Sequence, residues 1–125
     1  MGDATKANEI ENRLIDFAVR VIKVASELPK TQAAKHIAGQ LLRSGTSPAP
    51  NYAEARGAES NADFVHKLRI ALKELNESCV WLNCVWLKMI CRAELMKAEL
   101  LNNLIDENEQ LCRILNASAK TAKQK

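Results

Sequence analysis

The apolar residues of the first helical segment recur at alternating steps of four and three: Ile10, Leu14, Phe17, Val21, Val24 and Leu28. That spacing places all six on one stripe of an α-helix, the pattern of a helix packed into a bundle; a half-buried strand would need period two. Pro29 stops the stripe, because proline lacks the backbone donor and its ring clashes with the preceding turn. A second segment follows, with Thr31 as its expected N-cap and Ala34, Ile37, Ala38 and Leu41 on one side. It meets the densest breaker cluster in the chain, Ser44-Gly45-Thr46-Ser47-Pro48-Ala49-Pro50. Two prolines there remove two donors, so the second helix should be interrupted or kinked near Pro48–Pro50. It should restart at Pro48 or Pro50 and end near Gly57. The third helix, capped by Ser60 or Asn61, carries Phe64, Leu68, Ala71, Leu75, Leu82, Trp86 and Met89 inward and runs to about Cys91. After a turn at residues 92–96, the last helix spans about Lys97 to Ala117, with Leu101, Leu104, Leu111 and Leu115 inward.

These segments predict an all-α fold, an antiparallel up-down four-helix bundle over residues 8–118, because short connections make sequential helices antiparallel. Residues 1–7 read as a disordered N-terminus and 119–125 as a basic C-terminal tail. A chain of 125 residues fits one domain and buries about two thirds of its unfolded surface without staples. Only 4 Gly and 3 Pro are present, too few for a turn-rich β fold.

The net charge is +3, a weak pointer to a polyanion. Its distribution is more informative. No acid occurs between Glu27 and Glu54, and after Glu109 the only charges are Arg113, Lys120, Lys123 and Lys125. On the third helix Arg69 and Lys73 lie one turn apart and face outward, suited to phosphate contacts. Glu74 and Glu77 are interleaved with them, so ion pairs along the helix surface explain the same residues. The candidate RNA-contact set is therefore Arg69, Lys73, Lys120, Lys123 and Lys125.

Residues 79–91 are almost wholly apolar, with only Asn83 and Lys88 polar. At about 100° per residue, Leu82, Trp86 and Met89 face the core while Val80, Cys84, Leu87 and Cys91 face away and Trp81 lies on a flank. A helix apolar on both sides needs cover on both sides, and one helix of four cannot be central. A second copy of the chain is the simplest cover, so Val80, Trp81, Cys84, Leu87 and Cys91 are the candidate oligomer interface.

The sequence offers little for catalysis. A di-iron bundle needs two Glu-x-x-His pairs, whereas only Asp63-Phe64-Val65-His66 occurs, once and with the wrong acid. Cys79, Cys84, Cys91 and Cys112 form no C-x-x-C pair, and thiols so placed read as small buried hydrophobes in a reducing, cytoplasmic setting. There is no phosphate-cradling glycine loop and no H-E-x-x-H. No enzyme activity, metal or cofactor is expected. No apolar run approaches the roughly 18 residues that span a bilayer, and no membrane partner is expected.

Several fragments then fall into a known order: Gln40-Leu41-Leu42-Arg43-Ser44-Gly45-Thr46-Ser47, Asn51-Tyr52-Ala53-Glu54-Ala55, and Asp63 through Glu74. In this succession the chain, over about residues 8–118, resembles the bacterial four-helix-bundle family named for proteins encoded in intervening sequences of large-subunit ribosomal RNA genes. The resemblance implies a homopentamer and kinship with accessory proteins of diversity-generating retroelements, which partner a reverse transcriptase and nucleic acid. It attaches no catalytic activity. Arg43, Asn51 and Glu54 match polar positions of the family, either as a hydrogen-bonded network within or between subunits or as contacts to a ligand or RNA. The expected function is a non-enzymatic homo-oligomer associating with ribosomal or other structured RNA or a ribonucleoprotein. The alternative is a structural adaptor or accessory subunit that binds a protein such as a reverse transcriptase without touching nucleic acid.

Overall fold

The computed structural model describes residues 3–85 and 98–124. Its helices are α1 (Asp3–Glu27), α2 (Gln32–Thr46), α3 (Pro48–Arg56), α4 (Asn61–Val85) and α5 (Ala98–Lys123). Together they form an all-α four-helix bundle in which α2 and α3 are two arms of one bent helix. The expected stripes are the core: Leu14, Phe17, Val21, Leu28, Leu41, Leu68, Leu75, Leu82, Leu111 and Leu115 are all buried. Each such side chain contributes about 1.5–3 kcal/mol relative to exposure.

The helix ends follow local chemistry. Thr31 Oγ1 accepts from the Ala34 N–H at 3.2 Å and so caps α2. Ser60 Oγ does the same for α4, accepting from the Asp63 N–H at 3.1 Å. Asn61, the other expected cap, instead donates from Nδ2 to the Ala122 carbonyl at 2.7 Å, tying the start of α4 to the end of α5.

The break is briefer than the breaker cluster suggests. Helical backbone continues through Gly45 and Thr46, and Ser47 alone separates α2 from α3, itself at φ −81°, ψ −23°. Pro48 sits in the first turn of α3, where its missing donor is an orphan anyway. Gly45 serves packing rather than a turn: a Cβ there would lie 2.7 Å from Val21 Cγ1. The glycine is what lets α1 and α2 approach.

Two boundaries differ from expectation. α1 begins at Asp3 rather than near Asn8, and α5 runs to Lys123 rather than Ala117. No breaker interrupts either extension, and Ala119 and Ala122 are buried, so tertiary packing extends α5 beyond its last leucine. The expected turn at 92–96 and the inward Trp86 and Met89 lie outside the described residues.

Around the bundle, α1 packs on α2, α3 and α5, and α4 packs on α2, α3 and α5. Among the described residues the backbones of α1 and α4 nowhere run side by side, so the two helices occupy diagonal corners. A buried polar pair lies on the α4–α5 seam, where Ser78 and Asn108 interrupt the leucines. With its amide oriented to satisfy both ends, Asn108 accepts from Ser78 Oγ at 2.7 Å and donates to the Leu75 carbonyl at 2.9 Å. A slip of this seam would strand both groups, so the pair sets the register.

Candidate functional site

The outward face of α4 carries Arg69, Lys73 and Val80. Arg69 and Lys73 are exposed, and among the described residues neither forms an ion pair. The interleaved acids have another partner. Arg43 reaches across from α2 and bridges Glu74 at 2.8 Å and Glu77. Helix-surface pairing therefore does not engage Arg69 and Lys73, and their positive charge faces solvent.

Arg43 is thus a cross-helix brace. The other two polar motif residues do separate things. Asn51 Nδ2 donates to the Ser47 carbonyl at 2.9 Å, securing the first turn of α3 across the bend. The Glu54 side chain is 60% exposed and lies 3.8 Å from Lys67 Nζ. The structure does not gather the three into one network.

The proposed α4 interface also divides. Val80 is 60% exposed, the largest exposure of any large hydrophobic among the described residues. Cys84 is half-buried beside it. Trp81 belongs to the α2–α4 seam: its ring meets His36 edge-on with centroids 6.0 Å apart, and Nε1 approaches Glu77 at 3.4 Å. Leu87 and Cys91 lie outside the described residues. Of the tail lysines, Lys120 and Lys123 stand in the last turn of α5, a favourable place for cations at the negative helix end, and Lys125 lies outside the described residues. Among the described residues, the RNA-contact candidates Arg69 and Lys73 lie along α4, and Lys120 and Lys123 at the end of α5.

Sequence reasoning missed two features. The first is a second apolar stripe on α1, Ile15, Val19 and Ile22, 47%, 52% and 46% exposed. Its i, i+4, i+7 spacing was readable, but it runs directly beside the core stripe and merges with it in any periodicity count. The second is a groove of about 800 Å³ between the N-terminal half of α1 and the C-terminal half of α5, floored by α3 and α4. Arg13 closes one end of it, donating to Glu107 at 3.1 and 2.7 Å and to Gln110 at 3.2 Å. The Glu107 hydrogen bond raises the Arg13 pKa above its already high value. Arg56, which lines the groove, pairs with Glu11 of α1 at 3.0 Å.

Two of the thiols, Cys79 and Cys112, are poor nucleophiles. Cys79, Cys84 and Cys112 are free. Burial pushes Cys112 up to about 11 and also raises Cys79, so both are protonated near neutrality. Among the described residues no helix is long and apolar enough to cross a membrane.

This arrangement defines an all-α four-helix bundle. By sequence the chain belongs to the family of 23S rRNA-intervening sequence proteins, whose model matches residues 6–117. It is similar to the crystal structure of a protein of unknown function from the S23 ribosomal protein family of Bacteroides thetaiotaomicron. The TM-score is 0.76 and the identity 34%, covering 92% of this chain and 98% of that one. No curated protein matches the chain.

Proposed function

We propose that this chain is a non-enzymatic, cytoplasmic bundle that assembles with copies of itself and associates with RNA or a ribonucleoprotein. The observation that carries the assembly is exposed apolar surface on two diagonal helices: the stripe Ile15, Val19 and Ile22 on α1, and Val80 on α4. Patches on diagonal corners serve two different neighbours. A two-fold dimer would need one self-complementary patch, whereas a closed ring needs two unlike patches. Five is the ring size that the family resemblance implies.

The RNA association is supported by Arg69 and Lys73, which form no ion pair among the described residues while Arg43 pairs with the neighbouring acids, and by the ribosomal RNA genes for which the family is named. Contacts of this kind read the phosphate backbone and are sequence-tolerant.

Light scattering on the eluting protein tests the assembly. The wild type should run as one closed species of about five chains, and Val19→Asp or Val80→Asp should each release folded monomers, because a buried unpaired carboxylate is strongly unfavourable. A wild type that is monomeric at micromolar concentration refutes the reading. Binding to ribosomal RNA fragments across a salt series tests the second half. The Arg69→Gln/Lys73→Gln double variant should flatten the log–log salt slope by roughly 0.7–0.9 per lost phosphate contact. Absence of salt-dependent binding favours the adaptor reading, in which the partner is a protein.

A further inference from the structure

The α2–α4 seam carries two aromatic rings at the surface. Phe17 and Tyr52 are buried in the core. Trp81 is only half-buried: part of its indole packs against the core, and the exposed His36 of α2 stands beside it. The ring centroids lie 6.0 Å apart and the planes meet at 83°, so the pair forms a corner of two aromatic planes at right angles. The indole is held in place, because Nε1 reaches Glu77 Oε2 at 3.4 Å and Glu77 is itself paired with Arg43 from α2. A flat heterocycle entering the corner stacks on one ring and meets the other edge-on, both favourable arrangements for aromatic groups.

The charges around the corner favour a polyanion. α2 contains no acid, and α4 beyond Asp63 contains only Glu74 and Glu77. Arg43 bridges both, which leaves one negative charge on the seam. Lys35, Lys73 and Arg69 are exposed, and among the described residues none of them forms an ion pair, so this surface is positive on balance. Lys73 and Arg69 precede Trp81 on α4 by roughly 12 and 18 Å of helix rise. Aromatic rings beside a line of cations are the parts from which sequence-tolerant single-strand binding surfaces are built. A duplex offers no free base to such a corner, because its bases stack on one another.

We propose that the α2–α4 seam binds single-stranded RNA, with an unpaired base stacked in the His36–Trp81 corner and the backbone led along α4 past Lys73 and Arg69. The inference rests on the RNA association proposed above and narrows it, from phosphate contact with any RNA to recognition of unpaired segments. The aromatic corner decides between the two, since cations alone contact the phosphates of duplex and single strand alike.

Fluorescence anisotropy on the full-length protein tests the site with three labelled RNA probes of about twelve nucleotides. These are oligoadenylate, its duplex with oligouridylate, and an abasic strand with the same phosphates and no bases. Oligoadenylate should bind more tightly than the abasic strand by roughly five- to a hundredfold, the scale of one base–aromatic stack. His36→Ala and Trp81→Ala should each remove most of that lead and leave the abasic strand and the duplex unchanged. Arg69→Gln/Lys73→Gln should instead weaken oligoadenylate and the abasic strand alike. Circular dichroism checks each fold, and His36 is exposed, so His36→Ala decides the matter even if Trp81→Ala unfolds. The proposal is overturned, with the RNA association left standing, if oligoadenylate binds no more tightly than the abasic strand or if His36→Ala leaves its lead intact. If no probe binds, the RNA association fails and this proposal fails with it, the outcome expected of a bundle whose partner is a protein.

Discussion

The two halves of α1 meet their neighbours in opposite ways. In its C-terminal half, Val21 is wholly buried against Gly45 of α2, with no room for even a methyl group between them. In its N-terminal half, α1 stands off from α5 across the groove, and the gap is bridged by Arg13 to Glu107 and bordered by Arg56 to Glu11. A small residue brings two helices together through shape. Long charged side chains hold two helices apart while still joining them. One helix can therefore anchor a bundle at one end and leave an open groove at the other.

The sharpest way to break this contrast is to spoil the tight half. Gly45→Ala should destabilise the protein by about 1–3 kcal/mol through overpacking, despite the better helix propensity of alanine, because Val21 is β-branched and cannot swing aside. Urea denaturation would show the lower midpoint. In a Val21→Ala background the same change should become neutral or favourable, and a penalty that persists there would place the strain elsewhere.

At the open half the expected effect is smaller. Arg13 is 38% exposed on its side chain and its partner Glu107 17%, so solvent screens the pair and its loss should cost about 1 kcal/mol. Arg13→Ala should show that decrement at low salt and less of it in 1 M salt, where screening is nearly complete. The raised Arg13 pKa has its linkage effect only far above neutrality: the stability it confers is full below the ordinary arginine value and is lost as pH rises through the still higher folded value. No pH dependence from this group is expected between pH 5 and 9 in a thermal melt.

The α4–α5 seam offers a third, pH-dependent contrast. Cys112 titrates near 11 in the fold against 9.0 unperturbed, chiefly because burial disfavours the thiolate. Its folded pKa is raised, so its contribution is complete below about pH 9 and is lost as pH rises from there towards 11. Stability should fall across that window, and Cys112→Ala should reduce the fall. Iodoacetamide should alkylate Cys112 with a midpoint near pH 11; a midpoint near 9 would mean that the seam is open to water.

The smallest effect belongs to Tyr52→Phe, which should leave stability within about 0.5 kcal/mol of wild type, as substitutions that break no folded-state interaction do. A large loss would reveal a hydrogen bond holding the hydroxyl inside the bundle.

Much of the architecture was legible in one dimension. The helix stripes, the Thr31 cap, the restart at Pro48 and the end before Gly57 depend on interactions within a few residues, and sequence spacing reports those directly. The extension of α5 to Lys123 was not legible, since it rests on burial of Ala119 and Ala122 and on Asn61, about sixty residues away, bonding to the Ala122 carbonyl. Trp81 was read as an outward flank residue and is instead committed to His36 and Glu77 on the α2–α4 seam. The sequence left Arg69 and Lys73 open between phosphate contact and pairing with the interleaved acids, because neighbours on a helix are visible in sequence and the actual partner of those acids, Arg43 on α2, is not.

By itself, then, the sequence determined that the chain is a helical bundle, which face of each helix turns inward, and where the second helix bends. These follow from the 3.6-residue period and from the backbone chemistry of proline, threonine and serine, all of which act locally. Only the tertiary structure decided that α1 and α4 sit on diagonal corners, that Gly45 is a contact rather than a turn, and that Tyr52 and Arg56 face a groove. Those outcomes depend on the distance between helices. That distance is set by the bulk and charge of side chains that meet only after folding, such as Arg13 and Glu107, which are 94 positions apart in the chain.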